Sequence, residues 1–201
     1  MRLRSHSAIK DKGLHSFLSP SKSVWLRYTK EQLVNAFVKA TAQIRGTRLH
    51  ALAASCIENK IIPAQSETDI QQQTLSMYVS DCVALGLTPE QPLFYTQNAF
   101  GTADAFGVFG NKLFIFDLKT GVHPASMDQL KCYAALFFLE YSLRPNDFQI
   151  ELRIYQQGNV TICIPDAEDI LSIMERYMWA NEEIETLKEG GSLNELADTI
   201  L

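Results

Sequence analysis

One stretch constrains the fold of this chain more than any other. Gly101 to Gly121 holds two β-rich runs separated by Gly110-Asn111. That pair is a favoured hairpin turn, so the stretch reads as two strands joined tightly. In the second run Leu113, Ile115, Phe116 and Leu118 leave no polar face. Such a strand is covered on both sides, as in the inner strands of α/β sheets. Yet Asp104 lies on the first strand, and Asp117 and Lys119 lie near the end of the second. Side chains alternate along a strand, so Asp117 and Lys119 share a face while Leu118, Phe116 and Phe114 take the other.

Two carboxylates and an ammonium at the end of a buried strand suit a divalent-metal site. Magnesium takes carboxylate oxygens at roughly 2.0–2.1 Å and keeps waters for a substrate phosphate. Asp104 and Asp117 are the candidate ligands, with the backbone carbonyl of Leu118 completing the set. Lys119 is placed to orient the attacking water and to offset charge on the phosphate. An ordinary Asp–Lys salt bridge at a strand end, with Asp104 near a turn, accounts for the same spacing.

The surrounding residues add a resemblance. Asp104, twelve residues, then Asp117-Leu118-Lys119 is similar to the PD-(D/E)xK nuclease signature. Gly101-Thr102-Ala103-Asp104, Asp117-Leu118-Lys119-Thr120-Gly121, and Gln129-Leu130-Lys131-Cys132-Tyr133 resemble, in order, the motifs of the RecB-type (Cas4-like) branch, which includes phage exonucleases. Upstream, Gly46-Thr47-Arg48-Leu49-His50 resembles that branch's Gly-x-x-x-His helix. The motifs span residues 46 to 133, about two-fifths of the chain. The resemblance implies a restriction-endonuclease-like core, a central mixed sheet flanked by helices. It implies Mg2+ or Mn2+ as cofactor, with His50 facing the metal as ligand or phosphate contact. It implies that Gln129 and Tyr133 border the site and touch DNA, with Thr120 and Arg48 as further DNA contacts. Glu58, two turns beyond His50, is a candidate extra ligand. A phage or prophage exonuclease acting in recombination, repair or DNA processing is the expected activity. The expected partner is DNA, with further copies of the chain in a ring or a single-strand annealing protein as the protein partner. A non-cutting DNA-binding module and a structure-selective endonuclease are the alternatives.

The 201 residues suit one domain with a sizeable core. The expected layout is a helical region over 1–86, a catalytic core over about 45–165, a helix over 166–188 and a loose tail over 190–201. No run of about 18 apolar residues and no secretory leader is present, so the expectation is a cytoplasmic protein without a membrane partner, in a bacterium or phage-infected cell. Cys56, Cys82, Cys132 and Cys163 are scattered, without the clustered C-terminal cysteines by which Cas4-like and AddB-like proteins hold an iron–sulfur cluster. No such cluster is expected, and the thiols read as reduced. Net charge is −5, but it is unevenly spread. Residues 1–60 hold 11 Lys/Arg against 3 Asp/Glu, net +8, and residues 61–201 hold 7 against 20, net −13. A basic front half suits a phosphate-facing surface, although ordinary solvated charge gives the same count.

Along the chain, His6 to Ser16 reads as irregular, and neither His6 nor His15 is given a role. Ser19-Pro20 marks a helix start. The Leu18-Ser19-Pro20-Ser21 run ending in Trp25 resembles the N-terminal segment of phage RecB-like proteins. Trp25 or Tyr28 either stacks on a base of single-stranded DNA or anchors a short helix. Leu33, Phe37, Ala40 and Ile44 share a helical face, with Gly46 expected to break or bend the helix before His50. A helix over Ser66 to Leu85 stops at Gly86. Leu93–Thr96 is the first strand, and Ser126 caps a helix to about Tyr141. Phe148–Tyr155 and Val160–Ile164 form a second hairpin about Gly158-Asn159. The last helix carries a Met174-Tyr177-Met178 stripe, which suits either ring assembly or the core.

Overall fold

The computed structural model describes residues 16–189, in two compact units that meet at Arg48/Leu49. The irregular start with His6 and His15, and the loose tail, lie outside the described residues.

In the first unit a 3-10 segment, Pro20–Arg27, follows Ser19 and is interrupted at Lys22. Trp25 is half-buried here, and its indole N–H donates to the Ser19 carbonyl at 3.3 Å. Helix α1 (Lys30–Glu58) then begins at a reciprocal cap. The Gln32 amide donates to the Thr29 hydroxyl at 3.2 Å, and the Thr29 amide donates to the Gln32 side chain at 2.9 Å. The helix runs unbroken through Gly46, contrary to the expected break. A single helical glycine costs only about 1 kcal/mol relative to alanine, too little to end a 29-residue helix. Leu33, Phe37 and Ile44 stay largely exposed on it, rather than forming the core face that their spacing suggests.

The second unit is an α/β fold built on a five-stranded mixed sheet in the order β1-β2-β3-β4-β5. The strands are β1 (Thr88–Thr96), β2 (Ala99–Phe109), β3 (Lys112–Lys119), β4 (Gln149–Gln156) and β5 (Asn159–Cys163). All neighbours are antiparallel except β3 and β4. Parallel neighbours need a crossover, and α3 (Asp128–Glu140) supplies it. Helix α2 (Ile70–Leu85) precedes the sheet and α4 (Ala167–Glu189) follows it. The Asp69 carboxylate caps α2 by accepting from the Gln71 and Gln72 amides, which moves its start four residues past the expected Ser66. Gly86, at φ +70°, ends it as predicted.

The sheet separates two cores. On one face Leu113 and Ile115 pack with Leu130, Ala134 and Phe138 of α3 and Ile170 of α4. On the other, Phe116 and Leu118 pack with Leu75, Tyr78 and Val79 of α2 and with Ala53 and Ile57 of α1. The β2–β3 turn lies at Gly110-Asn111 as expected, with Phe109 paired to Lys112. The β4–β5 turn lies at Gln157-Gly158, one residue before the predicted position. Both turn residues have positive φ, +51° and +71°, as in a type I′ hairpin turn. The ring of Phe138 is fully buried and packs edge-on against Phe137 and Phe148. Phe138→Ala should therefore cost about 3–5 kcal/mol in urea denaturation, with the far-UV spectrum retained.

Candidate metal centre

The second unit gathers charged groups where β2 and β3 stop pairing. Their ladder runs from Phe109↔Lys112 to Ala105↔Phe116 and ends just short of Asp104 and Asp117. Beyond that point the Asp104 carboxylate accepts the Leu118 amide at 3.0 Å. A side chain thus takes over backbone pairing, and the main chain of β3 between Asp117 and Lys119 is tied to the Asp104 carboxylate. From α1, His50 Nδ1 lies 3.1 Å from Asp104 Oδ2. That hydrogen bond, reinforced by the charges of Asp104, Asp117 and Glu90, raises the His50 pKa, although burial opposes it.

On the α3 side, the Lys119 ammonium donates to Asp117 Oδ1 at 3.0 Å and to Gln129 Oε1 at 2.7 Å. Gln129 in turn donates to the Tyr133 hydroxyl at 3.2 Å. Gln129 and Tyr133 are one helical turn apart, so one face of α3 presents both. Tyr133 is seated against Gly101, where an added Cβ would lie 2.9 Å from its ring. The glycine of the Gly-x-Ala-Asp strand therefore admits the tyrosine that holds the glutamine. The N-cap of α3 is Met127, one residue past the predicted Ser126 and without a side-chain cap; from just outside the helix the Ser126 hydroxyl accepts the Asp128 amide at 3.1 Å.

Asp117 is the anomaly of the site. It is only 2 % exposed, and Lys119 satisfies one of its oxygens. Its Oδ2 is the one buried side-chain oxygen or nitrogen without a partner among the described residues. Burial, then the neighbouring Asp104 charge, push its pKa up to about 6, while Lys119 and His50 pull the other way. A salt bridge alone explains one carboxylate oxygen and not the other. An oxygen-seeking cation beside Asp104 fits the unpartnered atom and the donor set.

The structure also brings in Glu90, which the sequence reading passes over. Its carboxylate, His50 and Asp104 offer ligand atoms all within 4.8 Å of one another. Partial burial and the Asp104 charge raise its pKa. Glu90 sits in Thr88-Pro89-Glu90-Gln91-Pro92, whose prolines suggest a turn and not a strand; β1 accepts them because it is an edge. Gln156 is a second addition. Its side chain donates to the carbonyls of Gly121 and His123 and accepts from the Ala125 amide, fastening the loop after β3.

Glu58 does not join the group. It is exposed on α1, and eight residues from His50 means about 12 Å along the axis and about 80° around it. Thr120 is half-buried just past β3, beside Lys119. Arg48, exposed on α1, and Trp25 belong to the first unit. All four cysteines are unpaired, with Cys82 buried in the α2 core.

Two expectations follow from these contacts. The folded pKa of Asp117 exceeds the roughly 3.9 of an unfolded aspartate. The folded state therefore holds the proton more tightly, and stability from this group falls as pH rises through about 6. In EDTA, Asp117→Asn should be more stable than wild type by about 1–3 kcal/mol at pH 8, and the gain should vanish towards pH 4 in urea titrations. Gly101→Ala should cost about 1–3 kcal/mol by overpacking against Tyr133, read by the same titration. No protein-family model matches this chain, and no curated protein matches it significantly.

Proposed function

We propose that this protein is a Mg2+- or Mn2+-dependent DNA nuclease of the restriction-endonuclease-like fold and the RecB-type branch, and within it an exonuclease of phage-type recombination. One observation carries the reading: a buried aspartate with a free oxygen, beside a second carboxylate and a lysine held from two sides. Purely structural ion pairs do not need a free buried oxygen. The order of the motifs and the basic first 60 residues support a phosphodiester substrate.

Asp104 and Asp117 would hold the metal, which when bound would polarise the phosphate and acidify a water. The remaining work belongs to the chain. Lys119, fixed between Asp117 and Gln129, presents its third N–H for a nucleophilic water or a phosphate oxygen. Tyr133 holds Gln129 in place, and both stand at the rim for the strand being cut. His50 donates to Asp104 and keeps that carboxylate turned towards the site. No helix among the described residues is long and apolar enough to cross a membrane.

The test uses end-labelled linear DNA and closed circles with Mg2+, Mn2+ or EDTA. Wild type should degrade linear DNA with either metal, spare circles and be silent in EDTA. Asp117→Ala and Lys119→Ala should each lose about 100-fold or more. Full activity in either variant removes the assignment. Cut circles make the protein an endonuclease, and tight DNA binding without cleavage in any metal makes it a binding module.

A further inference from the structure

One face of the β1–β2 hairpin carries an aromatic pair that the charged site does not use. Phe94 and Phe100 are partners across the two strands. Their rings are stacked, with centroids 6.3 Å apart and planes 24° from parallel. That is a wide, offset pair, so much of each ring face stays open. Phe94 is 45 % exposed and Phe100 is 65 % exposed. Leu93, Ala99 and Ala103 pack in the α3 core, and Gly101 backs onto Tyr133. By alternation Pro92, Phe94, Phe100 and Thr102 take the other face, and all four are exposed. Two rungs, Pro92↔Thr102 and Phe94↔Phe100, thus form an uncharged strip that leads along β2 towards Asp104. An open sheet face is ordinarily polar, and two phenylalanines matched across one are unusual. Flat rings of this kind suit a flat ligand.

The edge of β1 argues against a protein strand as the occupant. Pro89 and Pro92 have no N–H to offer, and the Phe94 amide already donates to the Glu140 carboxylate at 2.9 Å. The spacing argues for DNA. Phe100 is four residues from Asp104, about 13 Å along the strand. At about 3.4 Å per stacked nucleotide, a base on the rings lies within about four nucleotides of a phosphate held at Asp104 and Asp117. Every base has a π-face, but in a duplex both faces are covered by neighbouring bases, so only an unpaired base can lie there. We propose that Phe94 and Phe100 form a stacking platform for an unpaired base of the DNA strand that enters the site, so that the protein prefers single-stranded or frayed ends to blunt duplex. The proposal rests on the nuclease reading above and names its substrate class.

Fluorescence anisotropy of a labelled oligothymidylate strand and of a blunt duplex of equal length tests this without turnover. Each is titrated with the full chain in EDTA and again in Ca2+. Wild type should bind the single strand more tightly than the duplex. Leucine is apolar but not flat, so Phe94→Leu and Phe100→Leu should each weaken strand binding about 10-fold. Phe100→Tyr keeps the ring and should weaken it less than about twofold. Duplex binding should be unchanged in all three. Phe100→Leu that holds the strand as wild type does overturns the proposal, and so does an equal loss on strand and duplex. A wild-type dimer that Phe100→Leu splits in light scattering overturns it too, making the pair a contact between copies. Wild type that binds no single strand in either buffer, or binds the duplex more tightly, sinks the platform. Cleavage of linear DNA by wild type, with strand binding that no Phe variant alters, sinks the platform and leaves the nuclease reading intact. Strand binding that requires Phe100, without cleavage in any metal, sinks the nuclease reading and keeps the platform.

Discussion

A carboxylate taken out of water has to be met by donors or by positive charge, and at Asp117 the protein meets it halfway. One oxygen receives Lys119; the other has no hydrogen-bond partner among the described residues. Satisfying the second oxygen would have needed only one further donor. Removing the charge would have been simpler still, since an apolar residue fits the rest of the strand. Neither has happened, and the raised pKa records the cost of leaving the site open to positive charge. Much of the local architecture follows from keeping this charge buried, half-paired and next to a second one.

The sheet makes the arrangement possible by ending one ladder early. If β2 and β3 had paired for one more step, Asp104 and Asp117 would have been neighbours in a regular register, pointing along fixed normals. Instead the Asp104 side chain takes the Leu118 amide, and the alternation of β2 slips between Ala103 and Ala105. The carboxylate is thereby turned to the strand edge, where helices on opposite faces can both reach the site. His50 comes from α1, and Gln129 and Tyr133 come from α3. The parallel β3–β4 pair contributes as well. Lys119 pairs with Gln156, and the Gln156 side chain secures the loop that leaves the site.

What was legible in the sequence depended on how local the cause was. The Gly110-Asn111 turn, the burial of β3, the stop at Gly86 and the Gln129–Tyr133 face come from neighbours one to four residues apart, and each is found as expected. The Asp117–Lys119 pairing follows from alternation alone. Glu90 was hidden because its prolines disguise an edge strand and because nothing in the local sequence signals its left-handed backbone, φ +50°. Glu58 misled for the opposite reason. Two turns of helix look like one face on paper, yet the residual rotation and the rise carry it away from His50. The partnership of Gly101 with Tyr133 joins residues 32 apart and needs the packed α3 to be seen.

That partnership bears on how a lysine can be used at such a site. Lysine is a point charge on a long, flexible stem, and ordering it costs about 1.5–2 kcal/mol of rotamer freedom. One bond to Asp117 would fix the ammonium at a distance and leave it free to swing. A second acceptor on another element removes the swing, but only if that acceptor is itself held. Gln129 is exposed and would wander were its amide not bonded to the Tyr133 hydroxyl. Tyr133 is steady because its ring lies on a strand position without a side chain. The position of one ammonium therefore depends on a missing methyl group on β2, reached through two side chains of α3. In this site a glycine serves the lysine by what it leaves out.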